Sequence, residues 1–155
     1  IIKYICDMNK MTLPNAVLLG EATSLLNEGR HVIIPTKGTS MLPFIVGEKD
    51  SVKLLKKDEV HRGDIVLARL YGDRYVLHRV WNIDGDDVTL MGDGNIRGRE
   101  SCKVQDICGI VCEIIKGKDR TVDVSSRPFK WKSSLWRILL PFRRVILAIY
   151  KRVFI

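Results

Sequence analysis

From residue 30 onward the sequence alternates. Short runs in which apolar and polar residues change places at every second position recur at 31–36, 51–55, 64–70, 74–82, 87–91, 103–115 and 120–124. A period of two is the signature of a strand with one face buried. Turn formers separate the runs: Gly47-Glu48-Lys49-Asp50, Tyr71-Gly72-Asp73, Asp84-Gly85-Asp86-Asp87 and Gly92-Asp93-Gly94-Asn95. Links this short join antiparallel neighbours by hairpins. The spacing predicts a mostly β domain of about seven antiparallel strands.

Helical periodicity flanks this region on both sides. Over 13–28, Leu13, Val17, Leu18, Ala22, Leu25 and Leu26 share one helical face, and Gly29 stands where a C-terminal cap belongs. After Ser125-Ser126-Arg127-Pro128 the pattern is helical again to the end. At 155 residues the chain suits one ordinary domain. Its expected parts are an N-terminal extension and helix (1–29), a β domain (30–125) and a C-terminal amphipathic helix (126–155).

That last segment holds the whole charge excess. Arg127, Lys130, Lys132, Arg137, Arg143, Arg144, Lys151 and Arg152 have no acid among them, and the net charge of the chain is +8. Arg137, Arg144 and Lys151 recur every seventh position, with Leu135, Leu139, Phe142, Ile146, Ile149 and Val153 opposite. Pro141 is expected to kink this helix or start its second half. The pattern resembles a helix lying in the headgroup plane of a membrane, side unknown. A helix packed on its own domain with a solvated basic face is the alternative. Spanning is disfavoured, because Arg143 and Arg144 would sit near the bilayer centre. Nucleic acid is not implied, since no binding fold accompanies the charge.

Cys6, Cys102, Cys108 and Cys112 lack the paired spacings of a zinc site and read as small buried hydrophobes. No cofactor or metal is implied. No secretory signal opens the chain. Residues 1–10 read as an upstream extension or the remnant of a longer product, with Met11 a candidate natural start.

Four short boxes carry the chemistry. Ser40 lies in Gly38-Thr39-Ser40-Met41-Leu42-Pro43, where Gly and Pro imply a sharply defined loop after the first strand. Gly63-Asp64-Ile65-Val66 follows, then His78-Arg79-Val80, then Gly92-Asp93-Gly94-Asn95. Alternation puts His78 on the interior face with Val76 and Val80, and Arg79 on the other. His31 opens a strand and His61 sits in a charged loop, so neither offers a comparable setting.

In order and spacing these boxes resemble the serine signal peptidases, specifically the histidine-base branch of the endoplasmic reticulum and archaeal enzymes. The likeness covers roughly residues 30–124. It implies a signal-peptidase-like antiparallel β catalytic domain and a serine endopeptidase that cleaves signal or leader peptides near a membrane. Ser40 would be the nucleophile, His78 the general base and the Ser40 backbone N–H an oxyanion donor. Serine needs such a base at neutral pH, and a histidine, with an ordinary pKa of about 6.5, can take the proton and return it to the leaving amine. The family also implies an extended substrate added to a strand edge, small side chains entering shallow apolar pockets. Thr39, Met41 and Leu42 are the expected substrate-binding residues.

Two departures qualify the likeness. Gly38 stands where some members place a second oxyanion hydroxyl, leaving that role to Thr39 or another backbone N–H. The downstream acid of the histidine branch is also missing from its place. Asp93 or Glu100 would orient His78, Asp93 being preferred because it lies within the matching box, and a simple Ser–His dyad is the alternative. A catalytically degenerate peptide-binding or maturation module would share these features. A self-cleaving repressor would need a lysine base and a DNA-binding domain.

Overall fold

A computed structural model describes residues 15–117 and 120–154. Cys6, Met11 and Leu13 lie outside the described residues. Helix α1 (Asn15–Asn27) is followed by strands β1 (Val32–Pro35), β2 (Asp50–Leu55), β3 (Ile65–Leu70), β4 (Arg74–Asp84), β5 (Asp87–Met91), β6 (Glu100–Lys103), β7 (Ile107–Lys116) and β8 (Arg120–Asp123). Helices α2 (Arg127–Ile138) and α3 (Arg143–Phe154) close the chain.

The strands form one antiparallel sheet in the order β1-β2-β7-β3-β4-β5-β6, curled as a half-barrel, with β8 added to β7. The mostly β architecture with helices at both ends is therefore as the alternation predicts. Successive residues of each strand feed two cores. One gathers Val32, Ile34, Val52, Leu54, Ile65 and Leu67 beneath Ala22 and Leu26 of α1. The other, inside the curl, gathers Val66, Ala68, Val80, Val88, Leu90 and Ile110.

Two expected elements differ. The run 103–115 is not one strand: Val104–Asp106 is a single 3-10 turn, closed by the Lys103 N–H donating to Asp106 Oδ2 at 2.8 Å, and it separates β7 from β6. Helix α1 ends as expected, the Arg30 N–H reaching Leu25 O while Gly29 takes a φ of +77°. Val17, however, is 47% exposed and not part of its packed face.

The C-terminal segment is not a single helix standing off the β domain. Leu140–Phe142 form a 3-10 turn around Pro141, and the two halves pack on the loop between β1 and β2. Phe129 joins the core beneath α1, while Trp136 and Leu147 bury Leu42 in a third cluster with Phe44 and Val46 beside them. The packed reading of this segment describes its inner side. Residues 126–154 are thus built into the domain and not appended to it, and their removal would strip cover from Leu42.

Candidate active site

Ser40 sits on the loop between β1 and β2, and that loop is tied at its base. Thr36 donates from its N–H and from Oγ1 to Asp50 O, at 3.0 and 2.8 Å, and the Glu48 N–H donates to Thr36 O at 2.8 Å. The Asp50 carboxylate takes the Val46 N–H at 2.7 Å and Lys116 Nζ at 2.6 Å. Lys116 Nζ also donates to Phe44 O at 2.5 Å, so one half-buried ammonium pins both limbs of the loop.

The fourth box lies directly on the first. The Gly94 N–H donates to Ser40 O at 2.7 Å. A Cβ on Gly92 would come 2.4 Å from Ser40 O, and one on Gly94 would come 2.3 Å from Thr39 O. No side chain fits at either position, which explains in physical terms why Gly92 and Gly94 are glycines.

Between these loops runs the third box. Arg79 Nε and Nη2 grip the two oxygens of Asp93 at 2.8 and 2.6 Å, and Nη1 donates to Gly63 O at 2.8 Å. Both side chains are buried, and the guanidinium lies over the rings of Phe44 and Phe129, 5.1 and 5.9 Å from their centroids. Arg79 so joins all four boxes into one rigid piece. It also occupies Asp93 completely. The preference for Asp93 as the partner of His78 is corrected: its carboxylate faces Arg79, on the opposite side of β4.

The partner of His78 is Glu100. His78 Nδ1 stands 2.5 Å from Glu100 Oε2, within ion-pair distance but not aligned as a hydrogen bond, and neither atom has a hydrogen-bond partner among the described residues. Glu100 Oε1 in turn meets Arg74 Nη1 at 3.0 Å. The register explains the contact. Arg79 pairs with Met91 at the end of β5 and Leu90 pairs with Glu100, so β6 brings its first residue to His78 across the end of β5. A carboxylate at Nδ1 favours the proton there, which leaves Nε2 with the lone pair that a general base needs.

Gly92 lies next to Met91, the strand partner of Arg79, and against Ser40 O, so the fourth box runs from the end of β5 to the serine loop. Ser40 Oγ makes no hydrogen bond among the described residues, and none joins it to His78. The Ser40 N–H likewise has no partner among the described residues and remains available to an oxyanion. Thr39 is exposed beside it.

Met41 and Leu42 do not line an open pocket. Met41 is 4% exposed within the main core, and Leu42 is 0% exposed beneath Trp136 and Leu147. Their expected role as pocket wall is corrected to structural support for the serine loop. The residues that sequence reasoning missed are on the helices: Trp136 Nε1 donates to Asp93 O at 2.9 Å. Arg143 donates to Trp136 O through Nε and Nη2, both at 3.2 Å, and to Asn95 O through Nη1 at 3.4 Å. Burial pushes the Arg143 guanidinium below its ordinary range, with the Asp93 carboxylate opposing.

The cysteines offer no rival nucleophile that the geometry favours. Burial, reinforced by Asp106, pushes the Cys102 thiol up to about 11, and burial also raises Cys112. Among the described residues no three His, Cys, Asp or Glu side chains gather closely enough to hold a metal ion. No protein-family model matches the chain, and no curated protein matches it.

Proposed function

We propose that the chain is a serine endopeptidase of the signal-peptidase type, acting on signal or leader peptides, with Ser40 as nucleophile, His78 as base and Glu100 holding the base. The observation that carries this reading is the contact between His78 Nδ1 and Glu100 Oε2 beside a serine loop whose hydroxyl and N–H are both unengaged. The steps follow. Ser40 Oγ attacks the scissile carbonyl as its proton passes to His78 Nε2, and the new oxyanion is met by the Ser40 N–H. Collapse expels the amine, which takes the proton from His78 and leaves an acyl-serine. Water, deprotonated by the same imidazole, then releases the acid.

Substrate presentation is supported by the sheet. Among the described residues strand β1 pairs only with β2, which leaves its other edge, immediately before the serine loop, without a strand partner, a place that an extended peptide would fill. Reaction with a serine-directed fluorophosphonate probe tests the proposal: the native chain should be labelled and Ser40→Ala should not. Equal labelling of both would end it.

A second reading is a peptide-binding module of the same fold without catalysis. The missing hydroxyl at Gly38 favours it. Peptide binding without probe labelling would decide for it.

A further inference from the structure

The two C-terminal helices leave one face uncovered, and it is not the face that the sequence pattern alone suggests. Leu139 and Ile146 turn partly inward, beside Trp136, Arg143 and Leu147. What remains outside is a row: Trp131, Leu135, Ile138, Phe142, Val145, Ile149 and Val153, between 40% and 75% exposed. Its spacings of three and four residues keep one side of each helix. These seven are most of the large exposed apolar side chains in the described structure, and all lie on the C-terminal segment.

Every charged residue along the border of the strip is a cation. Lys130, Lys132, Arg144, Lys151 and Arg152 are exposed along it, and no acid follows Asp123 in the chain. That composition discriminates among occupants. A second copy docked through the same strip would set these cations against their own copies, with no carboxylate to separate them. A bilayer surface carrying anionic headgroups offers both what the strip needs, an apolar interior, and what the border needs, negative charge. No helix among the described residues is long and apolar enough to cross a membrane, so the contact is one of lying on the surface.

We propose that the chain lies on an anionic lipid bilayer through the Trp131–Val153 strip. The opposite side of α2 carries Trp136, bonded to Asp93 O in the loop that rests on Ser40. The serine loop is therefore held about one helix diameter, roughly 10 Å, from the headgroups. This contact does not depend on the peptidase chemistry, and its test reads binding alone.

The test is flotation of the full chain with vesicles of phosphatidylcholine alone or mixed with phosphatidylglycerol. The native chain should float with the mixed vesicles, more weakly with the neutral ones, and high salt should reduce but not abolish the effect. On insertion the emission of Trp131 should shift to the blue, a shift missing from Trp131→Phe. The double variant Val145→Asp/Ile149→Asp should bind at least about tenfold more weakly. Val17→Asp, an equally exposed apolar site on α1, should leave binding unchanged. If the double variant fails to fold, Arg144→Glu/Lys151→Glu, at solvated positions, should give a loss of about tenfold or more. Flotation of either double variant equal to that of the native chain, or no preference for the anionic vesicles, overturns the proposal. So does a native dimer that is lost in the Val145→Asp/Ile149→Asp variant without any flotation.

Discussion

Two neighbouring residues on β4, His78 and Arg79, each meet a carboxylate, and the two contacts are built for different ends. Arg79 and Asp93 are sealed from water, bidentate, and satisfied further by Gly63 O. His78 and Glu100 touch through one atom each, and Glu100 keeps some solvent access. A sealed, saturated pair has no capacity left to react, and breaking it strands a charge. A single contact on one imidazole nitrogen fixes orientation and leaves the other nitrogen for chemistry. On the proposed function, adjacent places in a motif hold a girder and a base.

The largest effects should fall on the reactive half. Ser40→Ala and His78→Ala should each lower peptide cleavage by about 10⁴-fold or more, and the double variant should be little worse than either single one. Stability of Ser40→Ala should hardly move, because Ser40 Oγ has no hydrogen bond to lose. Acid should also lower the native rate, since only the neutral imidazole accepts the serine proton. A rate flat from neutral pH to about pH 4, where an ordinary imidazole is charged, contradicts a histidine base.

Asp93→Asn should do the reverse. It leaves a buried guanidinium without its counter-charge, at a cost of about 3–5 kcal/mol in denaturant unfolding. Molecules that still fold should retain the native pH profile. Were Asp93→Asn stable and inactive, the assignment of the two pairs would have to be exchanged.

Glu100→Gln should fall between these extremes, losing about 10²- to 10⁴-fold in kcat with a melting temperature close to native. Glutamine can donate to Nδ1 as well as accept from it, so it no longer enforces the tautomer that leaves Nε2 basic. An unchanged rate would reduce the mechanism to a Ser–His dyad. Smaller still, Trp136→Phe should cost about 1–3 kcal/mol of stability, the penalty for leaving the buried Asp93 carbonyl unpaired.

What the sequence shows of this arrangement follows from locality. Strands whose alternation is buried on one side are legible, and so is the α1 cap at Gly29. Strand β6 is not, since Glu100-Ser101-Cys102-Lys103 is short, polar and at a sheet edge, without apolar alternation to mark it. Losing β6 as an element also hides Glu100, whose approach to His78 depends on two registers. Proximity to the motif favours Asp93 instead, because residues that hold an active site together recur in the same boxes as those that react. Arg143 is missed for a related reason. A helical wheel assigns cations to solvent, whereas here Trp81 and Trp136 rings, with Trp136 O and Asn95 O, take in a guanidinium.

Arg74 should give the smallest effect and the finest test of the comparison. It meets Glu100 Oε1 at 3.0 Å from a position two turns of the strand pleat before His78, and its side chain is 60% exposed. An ion pair so open to water is screened and contributes little, so Arg74→Gln should leave the melting temperature essentially unchanged. Its other consequence is orientation. With Oε1 released, the carboxylate can rotate, and His78 Nδ1 loses part of the restraint that keeps Nε2 directed. We expect kcat to fall within about fivefold, the range set by an exposed ion pair, with KM unchanged and Arg74→Lys restoring most of the loss. A loss as large as that of Glu100→Gln would mean that the carboxylate depends on Arg74 for its place, and that the reactive pair is a network of three. No loss at all would mean that the contact between His78 and Glu100 is held by the register of β4, β5 and β6 alone.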